Sequence, residues 1–419
     1  MNPRRILALL FGANLLIYIA RYLLAGVLPA VEQAFTSSKT QLGALASVFV
    51  AAYVLAAPLF GTLGDRLERR WLLAFGAAIS AMATACVGLV SGMTMLFATR
   101  VLLGVGQSAF VTLAPTMIAD CYGPHRRASA LGVLTTAQPV GTALSYLVTG
   151  LLLGLGFDWR SAFWLISAPA LLSALTLLRV PKLQRGGVEL EVTTDDASAG
   201  RATEHRPSWR AYLRLARTPS YVLDTLAMSA NSFAMGGLAF WMPTYLHRAR
   251  GVAMATADIA FGLITAAVGA AGTLGGGFTS DRLMRRTRRA PALVAGLASL
   301  CAVPLFYLWF ALPGPIALWG LMSLTELLLF AAPGPSNTIL LNVTSPTIRG
   351  GASALNIVLI HLLGEMLSPL VIGLFADRAD MTRGIEVAAW AIGLSGLLWL
   401  CTAPFLPRDM ERVRGELRV

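Results

Sequence analysis

GTALSYLVTGL, residues 141–151, returns 223 positions later as GEMLSPLVIGL, residues 364–374, with seven of the eleven residues identical. A second stretch obeys nearly the same offset. Gly61, Asp65, Arg66, Leu67, Arg69 and Arg70 recur 216 positions on as Gly277, Asp281, Arg282, Leu283, Arg285 and Arg286. The chain of 419 residues is therefore built of two equivalent halves. In each half the basic motif follows the second apolar run, so the halves share one orientation rather than being inverted.

The apolar runs around these motifs set the fold class. Hydrophobic residues make up 56% of the chain and charged residues 13%. A soluble domain carries about 25% charged residues, and a chain this apolar cannot cover a water-facing surface. Twelve runs stand out, at 6–29, 41–63, 71–90, 94–120, 128–156, 161–180, 221–247, 255–279, 291–311, 315–344, 351–376 and 385–406. A helix needs ~20 apolar residues to cross ~30 Å of hydrocarbon. Backbone polar groups in lipid must be satisfied within the segment, which selects helices. The expectation is an all-α polytopic membrane protein with twelve transmembrane helices in two six-helix bundles. The boundaries follow as 1–180 for the first bundle, 181–220 for a linker, 221–406 for the second bundle and 407–419 for a cytoplasmic tail.

The net charge of +12 invites a nucleic-acid reading, and its placement argues against one. With the N-terminus in the cytoplasm, alternate loops collect 25 Lys and Arg on the cytoplasmic side and 6 on the other, with Arg21 and Arg100 inside runs. That asymmetry is the positive-inside rule. It places both termini in the cytoplasm and leaves no charge over for nucleic acid. The apolar stretch after Arg5 is too long for a signal-peptide core and has no small-residue cleavage pattern. Cys86, Cys121, Cys301 and Cys401 show no metal or redox spacing, so neither a metal nor a cofactor is expected. No nucleophile elbow, HExxH or phosphate-binding loop appears, which argues against an enzyme.

Residues 181–207 break the apolar pattern with Gly, Ser, Thr and mixed charge, as a flexible linker does. After it, Trp209, Tyr212, Leu213 and Leu215 alternate with Arg210, Arg214 and Arg217. That spacing suits a short basic amphipathic helix on the membrane face. The alternative is a charged extension of the seventh run.

Four groups of residues carry chemistry. Asp65, Arg66 and Arg69, with Asp120 near the end of the fourth run, form a candidate cytoplasmic gate, and Asp281 and Arg282 form its copy. An acid inside a basic run can pair with neighbouring arginines and break again, whereas topogenic charge alone needs no acid. Arg21 and Arg100 lie inside runs, where an arginine costs at least ~2.5 kcal/mol and faces protein or a watery cavity. Each is either an anion-attracting group or half of a permanent structural pair. Gly104 and Gly106 follow Arg100 and permit close helix approach. Glu326, His361 and Glu365 also lie inside runs; His361 and Glu365 share a helix face at i, i+4. These three are candidate proton acceptors, since histidine titrates near neutral pH and burial disfavours a charged carboxylate. The alternative for His361 is packing. Asn14, Tyr18, Gln107, Phe110, Asn231, Phe240, Trp241, Asn337 and Asn356 complete a candidate substrate-binding set, amides for a polar head and aromatics to wall a chain. Helix packing is the alternative for each. Pro139, Pro243, Pro333 and Pro335 are expected to interrupt helices near the site.

These residues resemble one family over nearly the whole chain. The paired Gly-x-x-x-Asp-Arg motif and the parallel six-plus-six repeat resemble the major facilitator superfamily. RVLLGVGQSAFVTLAPTMIADCYGPHRRASALG (100–132), FWMPTYLHRARG (240–251) and ASALNIVLIHLLGEMLSPLVIGLFADR (352–378) resemble its spinster branch. The resemblance implies a transporter working by alternating access on lysophospholipids or sphingoid-type lipids, with membrane lipids and protons as further partners. A monomer in a bacterial inner membrane is expected. Two positions depart from the family pattern. Ala20 stands where the family carries an acid before Arg21, and Gln107 where it carries a glutamate. Either coupling rests on Glu326, His361 and Glu365, or the protein is an uncoupled facilitator. An exporter of drugs or small metabolites shares the fold and differs only in its pocket. A non-transporting receptor is the other alternative, although a sensor usually adds a soluble domain.

Overall fold

The structure is a computed structural model that describes residues 2–183, 215–345 and 348–416. The linker beyond residue 183, and Trp209, Tyr212 and Leu213 of the expected amphipathic helix, lie outside the described residues. The chain is all-helical. The first half contributes α1 (Pro3–Gly26), α2 (Leu28–Phe35), α3 (Lys39–Arg66), α4 (Arg69–Val87), α5 (Met93–Cys121), α6 (Pro124–Gly154) and α7 (Arg160–Leu177). The second contributes α8 (Pro219–Arg248), α9 (Met254–Met284), α10 (Ala290–Ala311), α11 (Pro315–Phe330), α12 (Pro333–Asn342), α13 (Arg349–Ile360), α14 (Ser368–Arg378), α15 (Met381–Thr402) and α16 (Leu406–Glu416). A π-helical turn, His361–Glu365, follows α13 directly.

Local chemistry sets the helix starts. Asn2 caps α1 by accepting from the Arg4 amide at 3.0 Å, with Pro3 in the first turn where its missing N–H costs nothing. Ser38 and Gln41 form a reciprocal capping box at α3. Asp380 caps α15 through the Arg383 amide at 2.9 Å. Each cap satisfies one of the backbone donors that a helix N-terminus leaves without an intrahelical partner.

Ten segments are long and apolar enough to cross a bilayer, counting α11 with α12 and α13 through α14 as one segment each. The other two crossings are α6 and α8, of 31 and 30 residues, which carry more polar side chains. Large apolar side chains cover the outer helix faces, with Leu55 78% and Ile316 89% exposed. Such a surface suits hydrocarbon as solvent and would aggregate in water. The protein is thus a multi-pass integral membrane protein of two six-helix bundles.

By contact, the described residues form two units. The first comprises those within 1–204 and 246–263, and the second those within 205–245 and 264–419. In the first unit α5 packs between α3 and α4 through its glycines. A Cβ on Gly104 would collide with the Phe49 carbonyl oxygen of α3. A Cβ on Gly106 would sit 2.6 Å from the Gly76 carbonyl oxygen of α4. In the second unit α16 docks on the start of α8. Asp409 accepts from the Ser220 amide at 3.0 Å, and Arg412 donates to Thr218 Oγ1 at 2.6 Å.

The prolines behave unequally. The tenth crossing breaks between Phe330 and Pro333, as expected. Pro139 and Pro243 instead lie inside unbroken α6 and α8. A proline removes a single backbone donor, and neighbouring helices hold the remaining turns in place. The eleventh crossing departs from an α-helix at the π turn, where the Met366 amide reaches back to the His361 carbonyl at 2.9 Å.

A Gly106→Val substitution is expected to lower the thermal midpoint of the purified protein, at a cost of about 1–3 kcal/mol from overpacking. Gly12→Ala, where a Cβ would meet nothing within 4 Å, should leave the midpoint unchanged or raise it slightly, since alanine favours a helix interior over glycine. A fluorescence-detected melting curve reads both.

Candidate functional site

Asn14, Tyr18 and Arg21 recur along one face of α1, roughly a turn apart, as 3.6-residue periodicity requires. They line a cleft in the first unit together with Gln107 and Phe110 of α5, Tyr53 of α3, and Thr135 and Gln138 of α6. The cleft has a cavity volume of about 90 Å³. That is below the ~300–1,000 Å³ of a complete small-molecule site.

Arg21 is framed by aromatic rings. Its guanidinium carbon lies 4.9 Å from the Phe49 centroid, 5.7 Å from Tyr53, 5.8 Å from Tyr22 and 5.9 Å from Tyr18. Ring faces attract a cation by ~0.5–2 kcal/mol where water is scarce. Phe49 and Tyr53 stand at i, i+4 on α3 with centroids 6.1 Å apart, so one helix face supplies two of the four rings. Ala20, the preceding residue, is buried and contributes no carboxylate.

The amides beside Arg21 also hold the bundle together. Asn14 donates to the Leu134 carbonyl of α6 at 2.9 Å. Gln107 donates to the Ile17 carbonyl of α1 at 3.1 Å. The Tyr18 hydroxyl lies 3.4 Å from Gln138 Oε1, at the long end for a hydrogen bond. These bonds tie α1 to α5 and α6 and fix the lining. Arg100 is elsewhere. It is 3% exposed, its Nε has no hydrogen-bond partner among the described residues, and it is not part of the cleft lining.

The second-unit residues fall into separate places. Glu326 is buried on α11 and accepts from Thr265 Oγ1 at 3.1 and 3.3 Å. His361 Nδ1 and Glu365 Oε2 are 2.9 Å apart across the π turn. A π turn inserted in an α-helix often marks a functional segment. Gly364 within it lets α8 approach, since a Cβ there would sit 2.6 Å from the Ser229 carbonyl oxygen. Trp241 is fully buried and donates to the Pro369 carbonyl at 2.9 Å, and Phe240 stacks edge-on against it. Asn231 and Asn356 are buried, each with a side-chain oxygen that lacks a hydrogen-bond partner among the described residues. Asn337 is exposed.

At the gate motif Arg69 of α4 pairs with Asp120 of α5, and Arg70 pairs with Glu68 at 2.9 Å. Asp65 and Arg66 are exposed at the end of α3, and Asp281 and Arg282 at the corresponding point of α9. The Arg69–Asp120 pair joins two helices of one bundle.

Sequence reasoning missed several residues. Phe49, Tyr53 and Gln138 sit at the cleft or around Arg21. The i, i+4 spacing of Phe49 and Tyr53 was visible in the sequence. Asp224 and Asp258 are fully buried carboxylates inside apolar runs. The rule that singles out Arg100 singles them out equally. Asp224 accepts from the Trp399 indole at 2.8 Å.

Apolar helices of membrane-spanning length in two repeated halves, with an arginine-lined cleft in one of them, define a polytopic membrane protein. The Major Facilitator Superfamily model matches residues 10–369. The chain is 34% identical to human protein spinster homolog 1 over 448 aligned positions, covering 99% of this chain and 84% of that one. It is 31% identical to the mouse sphingosine-1-phosphate transporter SPNS2, covering 98% and 79%. Its fold matches the crystal structure of a bacterial homolog to the human lysosomal transporter spinster, in inward-facing and unoccupied conformation. That match has a TM-score of 0.82 at 21% identity, covering 98% and 97% of the two chains. The chain belongs to the major facilitator superfamily, in its spinster branch. Its relatives there are transporters, not enzymes.

Asp120→Asn is expected to lower thermal stability by about 1 kcal/mol, because the Arg69–Asp120 side chains are only partly shielded. In a double-mutant cycle with Arg69→Gln the two losses should not add. Full additivity would show that the pair contributes nothing.

Proposed function

We propose that this spinster transporter carries a single-chain lipid with an anionic head group, such as a lysophospholipid or a sphingoid phosphate, by alternating access. The observation that carries the reading is Arg21, a guanidinium lining the first-unit cleft within a frame of four rings, beside Ala20 where the family pattern has an acid. A cation so placed attracts a phosphate through charge-assisted hydrogen bonds. Phe110, Ile17 and Ala114 offer apolar lining beside it. The similarity to a named sphingosine-1-phosphate transporter supports the same substrate class.

Glu326 and the His361–Glu365 pair are the proposed proton-handling groups, since the first-half positions where the family carries acids are Ala20 and Gln107. Arg100 contributes positive potential to the bundle. Asn231, Phe240, Trp241, Asn337 and Asn356 are the proposed second-half contributors to substrate binding. Asp65, Arg66, Arg69 and Asp120, with Asp281 and Arg282, form the proposed cytoplasmic gate. The charge asymmetry of the loops supports termini in the cytoplasm.

Uptake of labelled lysophospholipid and sphingoid phosphate into proteoliposomes, with and without a pH gradient, tests this. Flux of at least one lipid is expected to respond to the gradient. Arg21→Gln should reduce flux about tenfold or more, the loss of a hydrogen bond to a charged group. Glu326→Gln should remove the gradient dependence and leave downhill exchange. Flux of a soluble sugar or cation with none of either lipid would refute the substrate class.

A further inference from the structure

Residues 246–263 follow the linker in the chain, yet they pack in the first unit. They dock at the end of that unit opposite the Asp65 motif, since α1 ends there at Gly26 and α3 begins there at Lys39. The contact is intimate. A Cβ on Gly26 of α1 would lie 2.9 Å from Thr149 Cβ and 3.1 Å from Asp258 Oδ2. A Cβ on Gly150 of α6 would lie 2.8 Å from the Ala255 carbonyl oxygen and 3.1 Å from Asp258 Cβ. Asp258 of α9 is fully buried in this slot.

Counting hydrogens there gives an uneven result. Thr149 Oγ1 is 3.0 Å from Asp258 Oδ2, 3.1 Å from the Ser145 carbonyl and 3.0 Å from the Tyr146 carbonyl. A hydroxyl has one hydrogen and can serve only one of these acceptors. Asp258 Oδ1 has no hydrogen-bond partner among the described residues. If Asp258 is ionised, Thr149 must abandon its helix carbonyl, and a buried charge is left with a single donor. If Asp258 is protonated, its own O–H donates to Thr149, and Thr149 donates to the helix. The second arrangement gives each hydrogen one acceptor and leaves no buried charge.

We propose that Asp258 is a proton-binding site that latches the 246–263 segment onto α1 and α6 through Thr149. Docking takes up a proton and undocking, which exposes Asp258 to water, releases it. Other charged and titratable groups surround the segment. From the α1–α2 side comes Glu32, 3.2 Å from Arg248 and 4.0 Å from Lys39. From α6 comes Tyr146, edge-on to Phe261 at 5.2 Å. From the last turn of α8 comes His247, 2.9 Å from the Val252 carbonyl, and from the α8–α9 connection comes Arg250. Glu32 already has two cationic neighbours, and among the described residues Asp258 has only Thr149. The site shares no residue with Glu326, His361 and Glu365, and its readout contains no lipid, so its failure is separable from failure of the substrate reading.

Spin labels at Ala34→Cys and Ala253→Cys, both exposed positions, report docking of the full chain in lipid nanodiscs without its four native cysteines. The ratio of short to long distances is expected to rise several-fold from about pH 8 to about pH 5, within the ceiling of about tenfold per pH unit for one proton. Asp258→Asn should flatten that response to less than about twofold, and Glu326→Gln should leave it intact. Thr149→Val should reduce the docked fraction at every pH, and Thr149→Ser should preserve it. If Asp258→Asn yields no folded protein, the Thr149 pair decides. A wild-type distance distribution that ignores pH, a wild-type response in Asp258→Asn, or equal behaviour of Thr149→Val and Thr149→Ser would each overturn the proposal.

Discussion

A guanidinium inside a membrane protein must be compensated, and at Arg21 rings surround it. Phe49, Tyr53, Tyr18 and Tyr22 face it within 6 Å. Aromatic faces stabilise a cation without neutralising it, whereas a carboxylate would cancel its field. Arg21 lines the cleft within this frame of rings. The surrounding bonds from Asn14, Gln107 and Tyr18 hold α1 against α5 and α6, and the glycines of α5 set how closely α3 and α4 approach. Much of the first bundle's packing therefore positions this one cation.

Most of the fold was legible from two patterns. Apolar runs long enough to cross a bilayer gave the twelve crossings, because lipid imposes helix length and internal hydrogen bonding. The internal repeat gave the two halves. The prolines were less legible. Pro139 and Pro243 sit in continuous helices, while Pro333 marks a real break, and the difference depends on what packs around each. The π turn at 361–365 had no local signal either; α8 approaches it closely at Gly364.

The site was partly legible. Asn14, Tyr18, Arg21, Gln107 and Phe110 meet in one cleft, and each stood out in the sequence as a charged, amide or aromatic residue inside an apolar run. Arg100 obeys the same cost argument yet lies outside the cleft, since an insertion penalty demands shielding without specifying from what. The aromatic frame needed three-dimensional information because two of its rings come from α3. Asp224 and Asp258 were equally visible as acids inside apolar runs. Their hydrogen-bond deficits are not, because these depend on which helix faces them.

Equilibrium binding of a labelled single-chain lipid phosphate to the purified protein tests the role of Arg21 most directly, with Ala20→Asp as the decisive variant. Ala20→Asp places a carboxylate where the family pattern carries one, next to Arg21. Ala20→Asp is expected to weaken phosphate binding by about tenfold, while an uncharged lipid of the same chain length binds equally to both proteins. Unchanged affinity for the phosphate in Ala20→Asp would contradict the role given to Arg21, as would equal affinity of the wild type for the phosphate and the uncharged lipid.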